Sequence, residues 1–306
     1  MLKFFVGVAA ATLMGASAVM AAAPLTEVVI DDTGVFNESM TATKGGDLII
    51  SSSAKGVIYR AKAGAPKATL WIDNSKTGVK SLLGVFADDK SNTLYACSVS
   101  PRGEPAQPEL AVLKTFDLKT GAPKASYPLP DPAKAVCNDI AVDKAGDAYI
   151  AETMGGKVLR LKKGGKALEE WAASPDMRGI DGIAFIDDGS LIANTVTSGR
   201  MFRISPKGEI KELTPSLKLR GADGMRSSGG NHVLMAESGG ARITEVAIDG
   251  DKADLRVVKE DPGVTGMALV GKTVWVNNGK LNFTMDPKMK GQDPGKFATY
   301  SVPLGR

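Results

Sequence analysis

Residues 138–153, NDIAVDKAGDAYIAET, contain the pattern that decides the fold. Two polar residues, Asn138 and Asp139, precede a short apolar strand, and a second apolar strand follows after a turn that contains Gly146. A glycine suits such a hairpin because tight turns need residues with positive φ. The stretch therefore predicts two antiparallel strands that begin with two polar side chains.

The same pattern recurs along the whole chain. The six units begin at Glu38, Leu83, Asn138, Asp181, Asp223 and Thr265. Their starts lie 42–55 residues apart, and four-stranded propeller blades repeat at about 40–50 residues. Two more strand-like segments follow in several units, for example KVLRLKK from Lys157 and ALEEWAA from Ala167. Helical spacing of apolar residues is scarce over the same region.

These repeats predict an all-β fold, a six-bladed β-propeller with four-stranded blades. The last unit lacks an outer strand after VWVNNG, which ends at Gly279. The segment PLTEVVI at residues 24–30 precedes the first unit and has no other partner, so we expect it to supply that strand and close the ring. Two separate β domains are the alternative, but the even repeat favours a single domain over residues 24–306.

Residues 1–23 have the composition of a secretory signal peptide. Lys3 gives a positive start, an apolar run extends to Met20, and small residues permit cleavage after Ala21 or Ala23. A membrane anchor is the alternative, but the run is shorter than the roughly 20 residues that a spanning helix needs. We therefore expect export to the periplasm or the cell exterior.

The formal net charge of +4 is weak for a nucleic-acid-binding protein, and no dense basic run with interleaved aromatic residues is present. The lysines are scattered over predicted turns, where a solvated surface explains them. We expect a monomer that acts on a small molecule and binds neither nucleic acid nor, once the leader is removed, a membrane.

The first residues of the units should meet at one mouth of the central channel of a propeller. Four of them carry side-chain oxygen atoms that can bind a cation: Glu38, Asn138, Asp181 and Asp223. Three acids around one axis repel each other unless a positive charge lies between them. Calcium and magnesium prefer such ligands, whereas the usual zinc ligands, His and Cys, are absent from the set. The alternative is that Asp-Gly and Asn-Asp are ordinary turn residues.

These unit starts resemble the regucalcin, gluconolactonase and luciferin-regenerating-enzyme family of six-bladed propellers, and are also similar to diisopropyl fluorophosphatase. The resemblance rests on four motifs: FNES at Glu38, CNDI at Asn138, GIDGIAF at Asp181 and GADGM at Asp223. It implies that these side chains bind one divalent cation, most often Ca²⁺, with Mg²⁺, Mn²⁺ or Zn²⁺ as alternatives. Asp181 stands where many family members have Asn.

The resemblance also implies an activity, since family enzymes hydrolyse lactones and some cleave organophosphates. A cation polarises the ester carbonyl while water attacks, and Asp223 is the implied general base. Three arginines flank the Asp181 and Asp223 turns and are candidates for steering an anionic or polyhydroxylated substrate: Arg178, Arg220 and Arg226. Their ordinary role would be surface solvation. The loop 101–110, PRGEPAQPEL, is a candidate pocket wall, lid or surface insertion.

The two cysteines, Cys97 and Cys137, allow either one disulfide or two buried thiols. Cys97 ends the second strand of the second unit, and Cys137 begins the third unit. Because neighbouring blades should bring them together, we expect a disulfide that braces the loop of Asn138. His232 is the only histidine; it cannot form a histidine pair and is expected to be structural.

A second function remains open, because propellers host many activities and many proteins without one. The chain would then be a binding or scaffold protein that keeps the cation for stability. A third possibility, a metal-free propeller similar to strictosidine synthase, is disfavoured by the intact acids. Neither GxSxG nor a phosphate-binding glycine loop is present, which argues against a serine hydrolase or a nucleotide-binding protein.

Overall fold

The computed structural model describes residues 25–304, and this part of the chain is all-β, as predicted. The predicted signal peptide at residues 1–23 lies outside the described residues. Helix within residues 25–304 is limited to four single turns. These are α1 (Asn74–Thr77), α2 (Asn282–Met285) and two 3-10 turns at Pro108–Leu110 and Pro175–Met177. The scarcity of long helices agrees with the absence of helical spacing in the sequence.

Antiparallel pairing arranges the strands into runs that follow chain order, after an initial strand β1 (Glu27–Ile30). The first run contains β2 (Met40–Ala42), β3 (Leu48–Ser51), β4 (Ile58–Ala61) and β5 (Lys67–Ile72). The second contains β6 (Leu82–Asp88), β7 (Thr93–Ser98), β8 (Val112–Asp117) and β9 (Pro123–Pro128). The third contains β10 (Cys137–Val142), β11 (Ala148–Glu152), β12 (Lys157–Leu161) and β13 (Glu169–Ala173).

The remaining runs repeat this arrangement. The fourth contains β14 (Ile180–Phe185), β15 (Leu191–Thr195), β16 (Met201–Ile204) and β17 (Ile210–Pro215). The fifth contains β18 (Ala222–Gly229), β19 (His232–Glu237), β20 (Arg242–Asp249) and β21 (Lys252–Glu260). The last contains β22 (Val264–Val270), β23 (Thr273–Asn278), β24 (Ala298–Pro303) and β1.

The pairing of β1 joins the two ends of the described chain. β1 is antiparallel to β24, with Val28 opposite Thr299, which is the pairing expected from the sequence for residues 24–30. Its other edge pairs in parallel with β5, so the first and last runs form one eight-stranded sheet. A similar parallel contact between β17 and β21 joins the fourth and fifth runs.

The first strand of each run adjoins the first strands of the neighbouring runs, and β22 adjoins β2. We call β2, β6, β10, β14, β18 and β22 the inner strands. Their backbones approach very closely: a Cβ at Gly84 would lie 2.1 Å from the carbonyl oxygen of Asn138, and one at Gly182 would lie 2.3 Å from that of Asp223. Only glycine permits such an approach without displacement. This explains why the second residue of the repeat is so often glycine.

The hydrophobic core lies between adjacent runs. One buried cluster, for example, packs Ile49 and Ile58 of the first run against Leu82, Leu94 and Phe116 of the second. Burying a side chain of this size contributes roughly 1.5–3 kcal/mol relative to leaving it exposed. The outer strand β9 is mostly exposed, so the runs pack through their inner and middle strands and hold the inner strands in fixed positions.

A β-bulge interrupts the inner strands where the candidate site begins. In β10, Cys137 lies opposite Glu152 and Ile140 lies opposite Ile150, so this strand carries one extra residue. The same shift occurs in β14 and β18. A bulge breaks the regular alternation of side chains and redirects them. The consecutive polar residues Asn138 and Asp139 can therefore serve two different purposes.

Candidate metal and substrate site

The four predicted ligands lie on inner strands or just before one, and all are buried. Glu38 precedes β2, whereas Asn138, Asp181 and Asp223 occupy the bulges of β10, β14 and β18. Their exposed fractions are only 6–8%. The close approach at Gly182 brings the bulges of β14 and β18 together. The structure therefore collects four oxygen-bearing side chains from four different runs.

Hydrogen bonds leave part of this set without a partner. The Asn138 amide donates to Asp181 Oδ2 over 2.9 Å and to Thr153 Oγ1 over 3.2 Å. Asp223 Oδ1 accepts from the backbone N–H of Gly224 over 3.0 Å. Glu38 Oε2 is buried and has no hydrogen-bond partner among residues 25–304. Since unpaired buried carboxylate oxygens are costly, this atom is suited to an additional positively charged partner.

Electrostatics supports the same conclusion. Burial raises the pKa of Glu38 well above its usual range, and the charge of Asp223 raises it further. Burial and the charges of Asp223 and Glu38 likewise raise the pKa of Asp181. The pKa of Asp223 is raised by burial to about 7, although a hydrogen bond with Ser238 opposes the shift. The three carboxyl groups therefore resist simultaneous ionisation unless a positive charge joins them.

The side chains do not already form a compact metal-binding cluster. Within residues 25–304, no three or more His, Cys, Asp or Glu side chains are close enough to share a metal ion. In addition, Asn138 directs its amide nitrogen, rather than its oxygen, at Asp181. Binding a cation through Asn138 therefore requires its amide to turn over and the carboxylates to move closer together.

A supporting residue that sequence reasoning missed lies behind two of the acids. Asn194 Oδ1 accepts from the backbone N–H of Gly182 over 3.1 Å, and its Nδ2 donates to the carbonyl oxygen of Asp223 over 2.8 Å. Asn194 is fully buried in β15. It thus fixes the backbone of both bulges. The signal in the sequence was the polar residue near the end of the second strand of each unit.

Arg226, for which the sequence predicted a substrate-binding role, is instead buried among the inner strands. Its Nη1 contacts both oxygens of Asp139, at 2.8 and 3.0 Å, and its Nη2 donates to the carbonyl oxygens of Met40 and Val85, each over 3.1 Å. Nη1 also donates to the Met225 carbonyl oxygen over 2.6 Å. Its guanidinium is therefore an internal link between four inner strands.

Asp139 completes this link and explains the polar pair of the opening motif. Besides binding Arg226, its Oδ2 accepts from the backbone N–H groups of Ile183 and Met225, over 3.2 and 3.4 Å. The ion pair is almost fully buried, with side-chain exposures of 10% for Arg226 and 4% for Asp139. The bulge thus sends Asn138 toward the candidate ligands and Asp139 toward a structural ion pair.

A cavity of about 990 Å³ opens beside the site, and Glu38 is the candidate ligand that lines it. Arg178, one of the predicted substrate-binding residues, also lines it, as does the loop from Pro101 to Glu104. The predicted loop 101–110 therefore forms part of the cavity wall. Arg102 in this loop was not identified from the sequence, and its positive charge lowers the pKa of Glu38 against the larger effect of burial.

Arg220, the third predicted arginine, is exposed at a different depression of about 370 Å³, beside Lys218 and Arg242. It is therefore separate from the cavity lined by Glu38.

His232 begins β19 at the hairpin end of that strand, opposite Gly229, and its Nδ1 lies 3.8 Å from Glu245. This location is consistent with a structural residue.

Two features of the third run shape the cavity next to Asn138. Cys97 and Cys137 form a disulfide with Cα atoms 5.1 Å apart, so Asn138 directly follows a covalent link between the second and third runs. Glu152, which sequence reasoning also missed, accepts from the backbone N–H groups of Val136, Met154 and Gly155 over 2.8–3.1 Å. Its carboxylate therefore holds three backbone groups of the cavity wall in place.

No helix between residues 25 and 304 is long and apolar enough to cross a membrane. No protein-family model matches the sequence. No curated protein matches it with significance.

Solved structures show what the fold resembles. Regucalcin from Agrobacterium tumefaciens, described as a calcium-binding protein, matches with a TM-score of 0.62 at 17% identity, covering 91% of this chain and 97% of that one. A gluconolactonase from Xanthomonas campestris matches with a TM-score of 0.64 at 14% identity, covering 89% and 87%. The allergen Mala s 1 from Malassezia sympodialis matches with a TM-score of 0.70 at 13% identity, covering 92% and 97%. The predicted resemblance to regucalcin and gluconolactonase is therefore confirmed at the level of the fold.

Proposed function

We propose that this chain, which shares its fold with regucalcin and gluconolactonase, is an exported hydrolase of lactones that uses one divalent cation. The observation that carries the proposal is the burial of Glu38, Asn138, Asp181 and Asp223 on or beside the inner strands, with Glu38 lining a large cavity. Three buried acids are difficult to ionise together without a cation, and a cavity beside them offers room for a substrate. We place the protein in the periplasm or outside the cell, on the composition of residues 1–23.

We also propose that the molecule is a six-bladed propeller with four-stranded blades. The strand runs and the ring of inner strands support this architecture. The antiparallel pairing of β1 with β24 supports closure of the ring by the N-terminal strand.

The donor set fits a hard cation, because it contains carboxylate and amide oxygens and one of them, Glu38 Oε2, lacks any partner among the described residues. Glu38, Asn138, Asp181 and Asp223 would hold the ion. Calcium is our first choice, and the description of regucalcin as a calcium-binding protein supports it. When bound, the cation supplies positive charge that polarises the lactone carbonyl.

The residues of the chain perform the other parts of the reaction. Asp223 is the proposed general base, because its buried carboxyl group belongs to the proposed ligand set and a carboxylate can accept a proton from the attacking water. Asn194 holds the backbone of Asp223 in place through its 2.8 Å hydrogen bond. Arg178 and Arg102 line the cavity and offer hydrogen-bond donors to the substrate.

The first experiment measures the metal content of the purified mature protein, before and after incubation with calcium, followed by hydrolysis of a panel of lactones. We expect about one tightly bound divalent ion per chain and calcium-dependent turnover. Glu38→Gln and Asp223→Asn should lose both. Asp47→Asn is the matched control, because Asp47 is also buried but pairs with Arg60 and Lys62 outside the site.

The outcomes separate the two functions that the sequence left open. No bound ion under either condition would contradict the site assignment. A bound ion with no turnover of any lactone would favour the binding or scaffold function instead. Turnover that survives in Asp223→Asn would remove Asp223 as the base.

A further inference from the structure

The cavity is much larger than a monosaccharide lactone requires. Its volume of about 990 Å³ lies at the upper end of the range for pockets that bind drug-sized ligands, roughly 300–1,000 Å³. It extends from Glu38 along the loop at Pro101 and across to α2, where Leu281 and Thr284 line the opposite side. A small ring bound near Glu38 would leave most of this space unfilled.

The part of the cavity wall that a small ring near Glu38 would leave uncovered is largely apolar. It is formed by side chains from the second, third and last runs and their loops: Leu83, Val99, Pro130, Val136, Met154 and Leu281. Met154 is 59% exposed, although large apolar side chains are usually covered. Methionine adapts readily to irregular apolar ligands. A ligand in this cavity therefore needs an apolar part to cover these side chains.

Several polar groups of the cavity wall already bind other parts of the protein. Ser53 donates to the carbonyl oxygen of Phe36 over 2.9 Å, and Ser100 accepts from the backbone N–H of Gln107 over 2.7 Å. The carboxylate of Glu152 accepts three backbone N–H groups. These bonds use part of the hydrogen-bonding capacity of the wall, and sugar hydroxyls placed against the apolar part without partners would weaken binding.

Two lysines of the cavity wall form ion pairs with acids. Lys134 pairs with Asp131 at 3.5 Å, and Lys157 pairs with Glu170 at 2.8 Å. Arg102 and Arg178 also line the cavity but have no ion pair within residues 25–304. Guanidinium groups recognise carboxylate or carbonyl oxygens well. The cavity thus combines an apolar wall with two available positive donors.

We infer that the substrate is an amphiphilic lactone: a ring that binds at Glu38 and carries an extended apolar chain through a carbonyl- or carboxylate-containing link. The chain covers the apolar wall near Val99 and Met154, and the oxygen of the link binds Arg178 or Arg102. A polyhydroxylated sugar lactone is a poor match. This inference rests on the proposed lactone hydrolysis, but the cavity chemistry can be tested without turnover.

The test compares kcat/KM of the calcium-loaded protein for γ-butyrolactone, glucono-δ-lactone and a γ-lactone amide-linked to a decanoyl chain. Each buried methylene group should favour binding about fourfold. We expect at least about a tenfold preference for the decanoyl lactone over both others. In parallel, calorimetry measures binding of decanoate, which cannot be hydrolysed.

Matched variants locate the effect in the cavity. Met154→Glu should reduce the preference for the decanoyl lactone toward unity, whereas Met285→Glu should not, because Met285 is equally exposed but does not line the cavity. Arg178→Met should weaken decanoate binding, and Arg220→Met, at the separate depression, should leave it unchanged.

The failures of the two proposals can be told apart. Equal or better turnover of the short or sugar lactones overturns this inference and leaves the hydrolase function standing. Decanoate binding that depends on Met154 and Arg178, with no turnover of any lactone, supports the apolar ligand class and refutes the hydrolase. Absence of both decanoate binding and chain-length preference overturns the inference.

Discussion

Replacing Arg226 by methionine should destabilise the protein strongly, because the change leaves a buried carboxylate without its counter-ion. Asp139 is only 4% exposed in its side chain, and the substitution also removes hydrogen bonds to the carbonyl oxygens of Met40, Val85 and Met225. Removing one partner of a buried ion pair typically costs 3–5 kcal/mol. We expect a loss of about 4 kcal/mol in the free energy of unfolding.

The double variant Asp139→Asn/Arg226→Met should recover part of this loss. An asparagine removes the unpaired charge, and its oxygen can still accept from the backbone N–H groups that bind Asp139, those of Ile183 and Met225. We expect the double variant to be more stable than Arg226→Met alone by about 2 kcal/mol, since groups in one buried network are strongly coupled.

Urea unfolding at pH 7.5 in the presence of a chelator measures these differences without a contribution from bound metal. Arg200→Met is the control, because Arg200 pairs with Asp176 and Glu212 but is 31% exposed, and such pairs contribute about 1 kcal/mol or less. The reasoning would be refuted if Arg226→Met were no more destabilising than this control. Strict additivity in the double variant would refute the coupling.

Three other predictions concern the candidate site. Burial raises the pKa of Asp223 to about 7, so the folded metal-free protein keeps a proton that the unfolded chain releases near pH 4. The thermal stability of the metal-free protein should therefore fall as the pH rises from 5 to 8. Added calcium should reduce this fall. A flat melting temperature across that range would contradict the assignment. The Cys97→Ser/Cys137→Ser variant should lose about 4 kcal/mol in chemical unfolding, as expected for a bridge that closes a separation of 40 residues; a loss below about 1 kcal/mol would show that packing alone fixes this loop. Gly182→Ala should lower calcium affinity in titration calorimetry at least about tenfold, since the new Cβ would lie 2.3 Å from the Asp223 carbonyl oxygen and displace that bulge. Gly45→Ala is the control, because Gly45 also lacks a positive φ and its new Cβ would meet only Thr43 Oγ1, at an ordinary contact distance of 3.7 Å.

The repeat in the sequence was sufficient to predict the all-β fold and the pairing of residues 24–30 with the last strands, because each unit repeats the same hydrophobic pattern. It also identified four polar residues that prove to be buried together. Equal position in a repeat implies equal position in space when the units are stacked around one axis. This is why Glu38 and Asp223 could be associated across a long stretch of chain.

The chemistry of individual side chains could not be predicted in the same way. Hydrophobic alternation gives the two faces of a strand, but a bulge changes that alternation, so the different roles of Asn138 and Asp139 were invisible. Arg226 was expected to bind substrate because it flanks the Asp223 turn. Its partners come from β2, β6 and β10, and they are set by the packing of the runs. Arg102 lies in a loop, and Glu152 ends β11 but binds backbone N–H groups of loops; a repeat does not encode loop conformation.

The pairing of β1 with β24 has a consequence for how the molecule folds. The hydrogen bond between Asn37 and the Ala298 carbonyl oxygen joins residues 261 positions apart. Contacts of such high sequence separation slow folding, because chain entropy is lost before the contacts form. During synthesis, which starts at the N-terminus, the middle runs can assemble from neighbouring segments of the chain. β1, however, has no antiparallel partner until β24 has been made. The ring therefore closes last, and deleting β24 should leave a stable remnant of neighbouring runs in which β1 keeps only its parallel pairing with β5.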